Sequence, residues 1–302
     1  MVLEHIFPEN WLEKKAMFAF ILGIGYSLIG IIFAKLLFPQ DPALVAVAFT
    51  SLLLLPELNK LIIREERVEE KEKKFKFKNL FKDNKNLTKI YVCLFIGIMI
   101  TYSAGAIILP SFQSNKLFRE QLEIRGFDDD TDTEETITGL AIFSNKLNFT
   151  GDLFEHILKN NFKVLIAIFL IALLTGDGAI FLITWNASVW GTIFGITAKN
   201  AGSFTGTNPW IYFGLILLIV LPHVIIESLA YIFAAISGSV ISKDVILEKF
   251  ESKRFKEVFI YNINLILIAL IVLLIGAGIE TWVLDNVHLY QDIILKSFGI
   301  II

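Results

Sequence analysis

Two residues that could do chemistry in this sequence, His223 and Glu227, lie four positions apart, directly after Pro222. Side chains at this spacing share one face of a helix. One interpretation makes them metal ligands or a proton relay. The other makes them a hydrogen-bonded pair that holds helices together. The sequence favours the second, because a metal site needs three or four ligands and only two lie close together here.

Three further polar residues interrupt apolar sequence. Asp177 stands between two glycines, where a helix is expected to break, and a carboxylate at bilayer depth is costly enough to be a functional candidate. The alternative for Asp177 is a solvated turn. Glu280 either completes a site with His223, Glu227 and Asp177 or is a charge that leaves the lipid. Asn186 is available to bridge to a neighbouring helix. The candidate intramembrane polar network is Asn161, Asp177, Asn186, His223, Glu227 and Glu280.

No complete catalytic constellation is present, since the sequence has no phosphate-binding glycine loop, serine nucleophile elbow or catalytic Cys/His arrangement. Its one cysteine, Cys93, allows neither an internal disulfide nor a cysteine zinc site. The acidic run 128–135 lacks the glycine and the glutamate that a calcium loop needs. We therefore expect no catalytic residue, no metal and no cofactor. A net charge of −3 is too small to indicate nucleic acid as a partner.

The elements that carry these residues are membrane-spanning helices. Of the 302 residues, 55% are hydrophobic, and they cluster in runs of about 20, the length that crosses roughly 30 Å of hydrocarbon. The predicted fold class is all-α, a polytopic transmembrane helical bundle of about six to seven spans with broken or kinked helices.

Two apolar stretches are too long to be single plain spans. Residues 163–199 would form one helix of about 55 Å at 1.5 Å per residue, so the glycines around Asp177 are expected to divide the stretch into two spans. Residues 209–241 are expected to be broken or kinked at Pro222, because proline cannot donate the helical hydrogen bond.

The distribution of charge predicts which side of the membrane each loop occupies. Segments 64–89 and 242–258 carry an excess of Lys and Arg and are expected in the cytoplasm. A count of seven crossings keeps both on one side, with the N-terminus cytoplasmic and the C-terminus outside. A rival count treats 179–208 as a re-entrant element. The expected location is the cell membrane.

The chain then divides into three parts. Residues 1–112 are an N-terminal membrane part with the cytoplasmic charged arm 64–89, residues 113–160 are an extracytoplasmic acidic loop, and residues 161–302 are the core membrane domain. Small residues in the core domain predict close helix packing. They are Gly191 and Gly195 in a GxxxG pattern and, on the face that continues from Glu227, Ala230, Ala234 and Gly238.

These residues also carry a family resemblance. The sequence resembles the stage II sporulation protein M family, in its archaeal form, at residues 176–191 (GDGAIFLITWNASVWG), at His223–Glu227 with the Leu229-Ala230-Tyr231 that follows, and at Glu280. The resemblance covers most of the chain. Two positions depart from the family pattern: Val224 replaces the glycine usual after the histidine, and Asp177 replaces a residue that is often small. Asp177 is therefore a peculiarity of this chain rather than a family site.

The resemblance implies a polytopic membrane protein throughout. For the name-giving members, in spore-forming bacteria, it implies work beside a lytic cell-wall enzyme and another membrane protein during engulfment, a role that does not transfer to archaeal-type members. We expect a non-enzymatic scaffold or assembly partner in membrane or envelope remodelling. Its partners would be the lipid bilayer and either other membrane proteins or further copies of itself.

Two alternatives belong to other functional classes. One is a transporter or permease for a small solute, ion or lipid, which would need Asp177, His223, Glu227 and Glu280 to converge in one water-accessible cavity. The other is a membrane metalloenzyme that uses His223, Glu227 and Glu280.

Overall fold

The computed structural model describes residues 16–69, 85–123, 151–247 and 252–300. Within these ranges the chain is helical apart from short turns and no strand occurs, which confirms the all-helical prediction. The helices are, in chain order, α1 (Met17–Leu37), α2 (Pro42–Glu69), α3 (Lys85–Ile108), α4 (Ser111–Leu117), α5 (Arg119–Glu123), α6 (Gly151–Thr175), α7 (Ala179–Thr205), α8 (Pro209–Leu247), α9 (Lys253–Asn286) and α10 (His288–Ser297).

Seven of these helices are long and apolar enough to cross a membrane, namely α1, α2, α3, α6, α7, α8 and α9. The number agrees with the seven crossings predicted from the sequence. The rival count needed a re-entrant element within 179–208. Instead, the 27 residues of α7 form one uninterrupted helix of about 40 Å, which is enough for a complete crossing.

The break between α6 and α7 lies at the predicted glycines. The first helix ends at Thr175 and the second begins at Ala179. Gly176 has a φ of +76°, a left-handed conformation that glycine adopts without a Cβ penalty. The Gly178 N–H then donates to Thr175 Oγ1 at 2.9 Å. The apolar stretch 163–199 is therefore two spans, as expected.

Of the two outcomes expected at Pro222, a break or a kink, helix α8 excludes the break. It runs without interruption for 39 residues with Pro222 inside it. A proline removes one N–H donor and leaves the Leu218 carbonyl, four residues earlier, without its helical bond, but packing in a bundle can preserve the other turns. At about 58 Å, the helix is longer than the hydrocarbon is thick.

Parts of the two predicted loops lie outside the described residues. These are 70–84 of the charged arm and 124–150 of the acidic segment, including the acidic run 128–135. The described ends of the acidic segment are helical, since α4 and α5 follow Pro110 and α6 already begins at Gly151.

Helices α3 and α7 pack in parallel through small residues. Gly191 lies against the backbone of Met99, and Gly195 lies against that of Ser103, one turn further along both helices. Ser103 Oγ also donates to the Gly191 carbonyl at 2.8 Å. Of the residues in the apolar, membrane-spanning stretch of α7, 78% are buried inside the protein, against 22% for the corresponding stretch of α6. This difference makes α7 the centre of the bundle and α6 a helix of its periphery.

Helices α6 and α8 are also parallel, and α9 returns against them. Asn161 lies opposite Glu227 and, eleven residues further along both helices, Ala172 lies opposite Gly238. Helix α9 is antiparallel to α8, because Gly276 lies beside Glu227 whereas an earlier α9 residue, Asn262, accepts a hydrogen bond of 2.7 Å from the later α8 residue Ser237.

The two ends of the bundle can be named by their residues. We call the end that contains Asn59, Gly176 and Lys243 the arm end, because the charged arm leaves the bundle there. We call the opposite end the loop end. It contains Asp41, in the turn between α1 and α2, and Arg119, whose Nη2 lies 3.7 Å from Asp41 Oδ1.

Replacing Gly195 by Ala is expected to lower the free energy of unfolding by about 1–3 kcal/mol, the usual cost of overpacking. A Cβ there would lie 2.6 Å from the Ser103 carbonyl oxygen and 2.8 Å from Ala106 Cβ. Gly214 on α8 is the matched control, since nothing lies within 4 Å of a Cβ at that position. Gly214→Ala should raise stability by up to about 1 kcal/mol through helix propensity. Thermal unfolding in detergent measures both, and equal effects would contradict the packing described.

Candidate functional site

Glu227 is the centre of the candidate site. Its side chain lies on α8 and is fully buried, at 0% exposure. Asn161 on α6 is also buried, and its Nδ2 donates a hydrogen bond of 2.9 Å to Glu227 Oε1. A carboxyl group removed from water is costly unless it is hydrogen-bonded. The bond therefore joins α6 to α8 at a buried position, where an unpaired carboxyl group would cost the most free energy.

Gly276 brings the backbone of α9 against the same carboxyl side chain. A Cβ at this position would lie 2.7 Å from Glu227 Cγ, so any larger residue would displace the glutamate. The glycine is needed here because the Glu227 side chain crosses directly over the α9 backbone. Three helices, α6, α8 and α9, thus enclose Glu227.

His223 lies one turn before Glu227 and faces the centre of the bundle. It is 5% exposed, and its ring centroid lies 6.1 Å from that of Trp190 on α7. Trp190 in turn contacts Phe95 on α3 edge-on, with centroids 6.0 Å apart. We call Asn161, Trp190, His223, Glu227 and Gly276 the Glu227 cluster.

The Glu227 cluster lies deep within the membrane-spanning region. The apolar span of α8 runs from Pro209 to Lys243. Glu227 lies about 27 Å from its first residue and about 24 Å from its last, at 1.5 Å per residue. Intramembrane ionisable groups are rare and are functional candidates by default, so this position makes Glu227 the strongest candidate in the chain.

The register of α8 and α9 brings Glu280 towards the cluster. The two helices are antiparallel, and Gly276 on α9 lies beside Glu227 on α8. The α9 residue one turn after Gly276 is therefore level with His223, which lies one turn before Glu227 on α8. Glu280 occupies that later turn and is half-buried. His223, Glu227 and Glu280 therefore lie at neighbouring levels of one helix pair.

Asp177 does not join them. It lies at the arm end, where Lys243 Nζ is 3.4 Å from Asp177 Oδ1 and donates a 2.8 Å hydrogen bond to Asn59 Oδ1. The side chains of Asp177 and Lys243 are only 13% and 15% exposed, so Asp177 is not the solvated turn residue that one interpretation proposed. Lys243 is separated from Glu227 by about 24 Å along α8.

Asn186 bonds within its own helix, since its Nδ2 donates to the Leu182 carbonyl at 2.8 Å. The described contacts of Asn186 therefore give it no bridge to another helix.

Among the small residues named in the sequence analysis, Gly191, Gly195 and Gly238 lie at contacts between helices. Ala230 and Ala234 are fully buried, and a Cβ at Gly238 would lie 2.6 Å from the Phe169 carbonyl oxygen and from Ala172 Cβ on α6.

Sequence reasoning missed several polar residues that join helices. Lys243 is the partner of Asp177, and its position as the first charge after a long apolar stretch was the available signal. Gln121 on α5 is fully buried, and its Nε2 donates to Ser188 Oγ on α7 at 3.4 Å. The sequence carried no comparable signal for Gln121, because α5 is short and follows a loop.

His223 and Glu227 are the ionisable side chains of the Glu227 cluster, and each can carry a proton. Among the described residues, no group of three or more His, Cys, Asp or Glu side chains is placed to hold a metal ion. What the described contacts do show is buried polar side chains that join neighbouring helices.

These features define a multi-pass α-helical membrane protein. The sequence model of the family described as stage II sporulation protein M matches residues 16–283, which is most of the chain and includes every residue of the Glu227 cluster. The chain therefore belongs to the stage II sporulation protein M family, as the resemblance indicated. Searches of curated proteins and of solved structures gave no match.

Removing one member of the Asp177–Lys243 ion pair is expected to destabilise the protein more than removing both. Lys243→Gln leaves a mostly buried carboxylate without its counter-ion and should cost at least about 1 kcal/mol, most of which Asp177→Asn should restore in the double variant. Lys253→Gln is the control, because Lys253 is 91% exposed in its pair with Glu257 and should cost under about 0.5 kcal/mol. The pairing would be contradicted if Lys243→Gln did not have the lowest unfolding temperature of these three variants.

Proposed function

We propose that this protein is a non-enzymatic scaffold of the cell membrane, an assembly partner for other proteins in membrane or envelope remodelling. One observation carries the proposal: its buried polar groups fasten helices of the same chain to one another. The Asn161–Glu227 bond joins α6 to α8, and Ser103 joins α3 to α7. Lys243 joins α8 to α2 through Asn59.

Bonds of this kind support a fixed framework. An intramembrane hydrogen bond between helices resists their separation because lipid offers no replacement partner. Glycine contacts add to this, since Gly195, Gly238 and Gly276 each hold two helices closer than a Cβ would allow. A scaffold benefits from such rigidity, whereas a transporter must rearrange helices around its site.

The proposed orientation places the arm end in the cytoplasm. The basic segments 64–89 and 242–258 both adjoin this end, and cytoplasmic loops carry an excess of Lys and Arg. The N-terminus would then be cytoplasmic, and α4, α5 and α10 would lie on the outer side with the acidic segment.

The scaffold role predicts that Glu227→Gln retains function. Glutamine keeps the shape of the side chain, and its Oε1 can still accept the Asn161 hydrogen bond, but the ionisable group is gone. In cells that lack the gene, a Glu227→Gln copy should restore the envelope as well as the wild type does, as imaged by electron cryotomography. Gly195→Leu, which should force α3 and α7 apart, is the control expected to fail. Failure of Glu227→Gln at wild-type protein levels would contradict the scaffold role.

Transport is the second candidate. Asp177, one of the four residues it was expected to bring together, lies apart beside Lys243, but the other three favour it. Glu227 is an ionisable group deep in a span, with His223 one turn away and Glu280 level with that turn. Purified protein in liposomes loaded with the pH-sensitive dye pyranine tests this by measuring proton flux after a pH or sodium jump. Flux that Glu227→Gln abolishes would establish transport, and flux no faster than in protein-free liposomes would count against proton coupling.

A further inference from the structure

The outward face of α9 has a regular pattern. Four of its six residues are half or more exposed, Ile271 for example at 59%, and the other two, Asn264 and Gly278, are partly buried. The opposite face, with Leu265 and Ala269 at 0% exposure, packs into the bundle. The spacing alternates between four and three residues, the a/d pattern of a helix that pairs with another helix along its length. The residues of this face, which we call the α9 seam, are Ile260, Asn264, Leu267, Ile271, Leu274 and Gly278.

Exposed apolar residues alone would indicate only contact with lipid, but the α9 seam contains an amide. Asn264 lies seven residues beyond Glu257, about 10 Å along the axis and within the apolar stretch. Its Nδ2 donates to the Ile260 carbonyl of its own helix at 2.7 Å. Within the described chain, its second N–H and its Oδ1 have no partner. A polar group left unsatisfied in hydrocarbon is costly.

A second feature of the α9 seam also indicates a neighbour. Gly278 lies two heptads after Asn264, at the same seam position, and nothing in the described chain comes within 4 Å of where its Cβ would be. Glycine destabilises a helix relative to alanine, and no contact within the described chain accounts for its presence. Small residues on a membrane helix allow the backbone of a second helix to approach closely.

The partner that fits both features is another copy of this chain. All copies insert into the membrane with the same orientation, so a two-fold axis along the membrane normal pairs two α9 helices in parallel and places each seam residue opposite its own counterpart. An amide both donates and accepts, and so Asn264 is complementary to itself. A different protein would have to supply its own polar group at this depth.

We propose that the protein forms a parallel dimer through the α9 seam, with the two Asn264 side chains hydrogen-bonded to each other across the two-fold axis. The dimer does not depend on the scaffold role, because it is measured on purified protein without any partner. If the chain is a scaffold, the dimer gives it two copies of every outward surface.

Energy transfer between donor- and acceptor-labelled copies in liposomes, measured over a range of protein-to-lipid ratios, tests the proposal. Asn264→Leu should raise the dissociation constant of the dimer about tenfold, the size expected for one intramembrane hydrogen-bonded contact. Asn286→Leu is the matched control, because Asn286 makes the same kind of bond to its own helix, to the Trp282 carbonyl at 3.0 Å, but at the end of α9. It should leave the dissociation constant unchanged.

Glycine variants provide a second matched pair. Gly278→Leu should weaken the dimer by filling the space between the two helices. Gly25→Leu on α1 should not, although Gly25 is equally free of neighbours within 4 Å. Neither position is packed inside the chain, so both variants are expected to fold.

Cysteine cross-linking identifies the contact face directly. In a Cys93→Ser background, Leu267→Cys and Ile271→Cys should form disulfide-linked dimers on oxidation of intact membranes, whereas Ile32→Cys, 61% exposed on α1, should not. A protein that stays monomeric at all lipid ratios would overturn the proposal. So would cross-linking of the α9 positions to a different protein, or equal cross-linking at Ile32.

Discussion

The carboxyl side chain of Glu227 sets the constraint on which the core of this bundle depends. At 0% exposure within a membrane span, it must find its polar partners inside the protein. Asn161 meets part of that need from α6 by donating to Oε1, and the lack of a side chain at Gly276 lets the α9 backbone lie against the glutamate. The positions of α6 and α9 relative to α8 therefore follow from one buried group. A shift of either helix by one turn would remove the donor or place a Cβ against the glutamate.

Helix α8 is held a second time at the arm end, by the turn that follows α6 and by α2. There Asp177, in the turn between α6 and α7, lies beside Lys243 near the end of α8, and Lys243 also binds Asn59 of α2. The two polar levels are separated by about 24 Å along α8. Between them, Gly238 lets α6 and α8 approach closely. This spacing argues against one shared site for Asp177 and Glu227, and it supports a framework held at both levels.

Much of the fold could be predicted from the sequence, because the length of an apolar run determines whether it crosses the bilayer. The break at Gly176 was predictable for a local reason, since only glycine readily adopts its left-handed φ. The unbroken course of α8 through Pro222 was not, because packing against other helices overrides a single missing hydrogen bond. The pairing of Asn161 with Glu227 and of Asp177 with Lys243 depends on the register of separate helices. A local pattern identifies the polar residues but not their partners.

The packing of α6, α8 and α9 described above requires that Asn161 and Glu227 stabilise each other. The most direct measurement is a double-mutant cycle of Asn161→Ala and Glu227→Ala on the free energy of unfolding in a lipid environment. We expect a favourable coupling energy of about 0.5–2 kcal/mol, the range found for hydrogen bonds between membrane helices. Additive effects, with a coupling below about 0.3 kcal/mol, would contradict it.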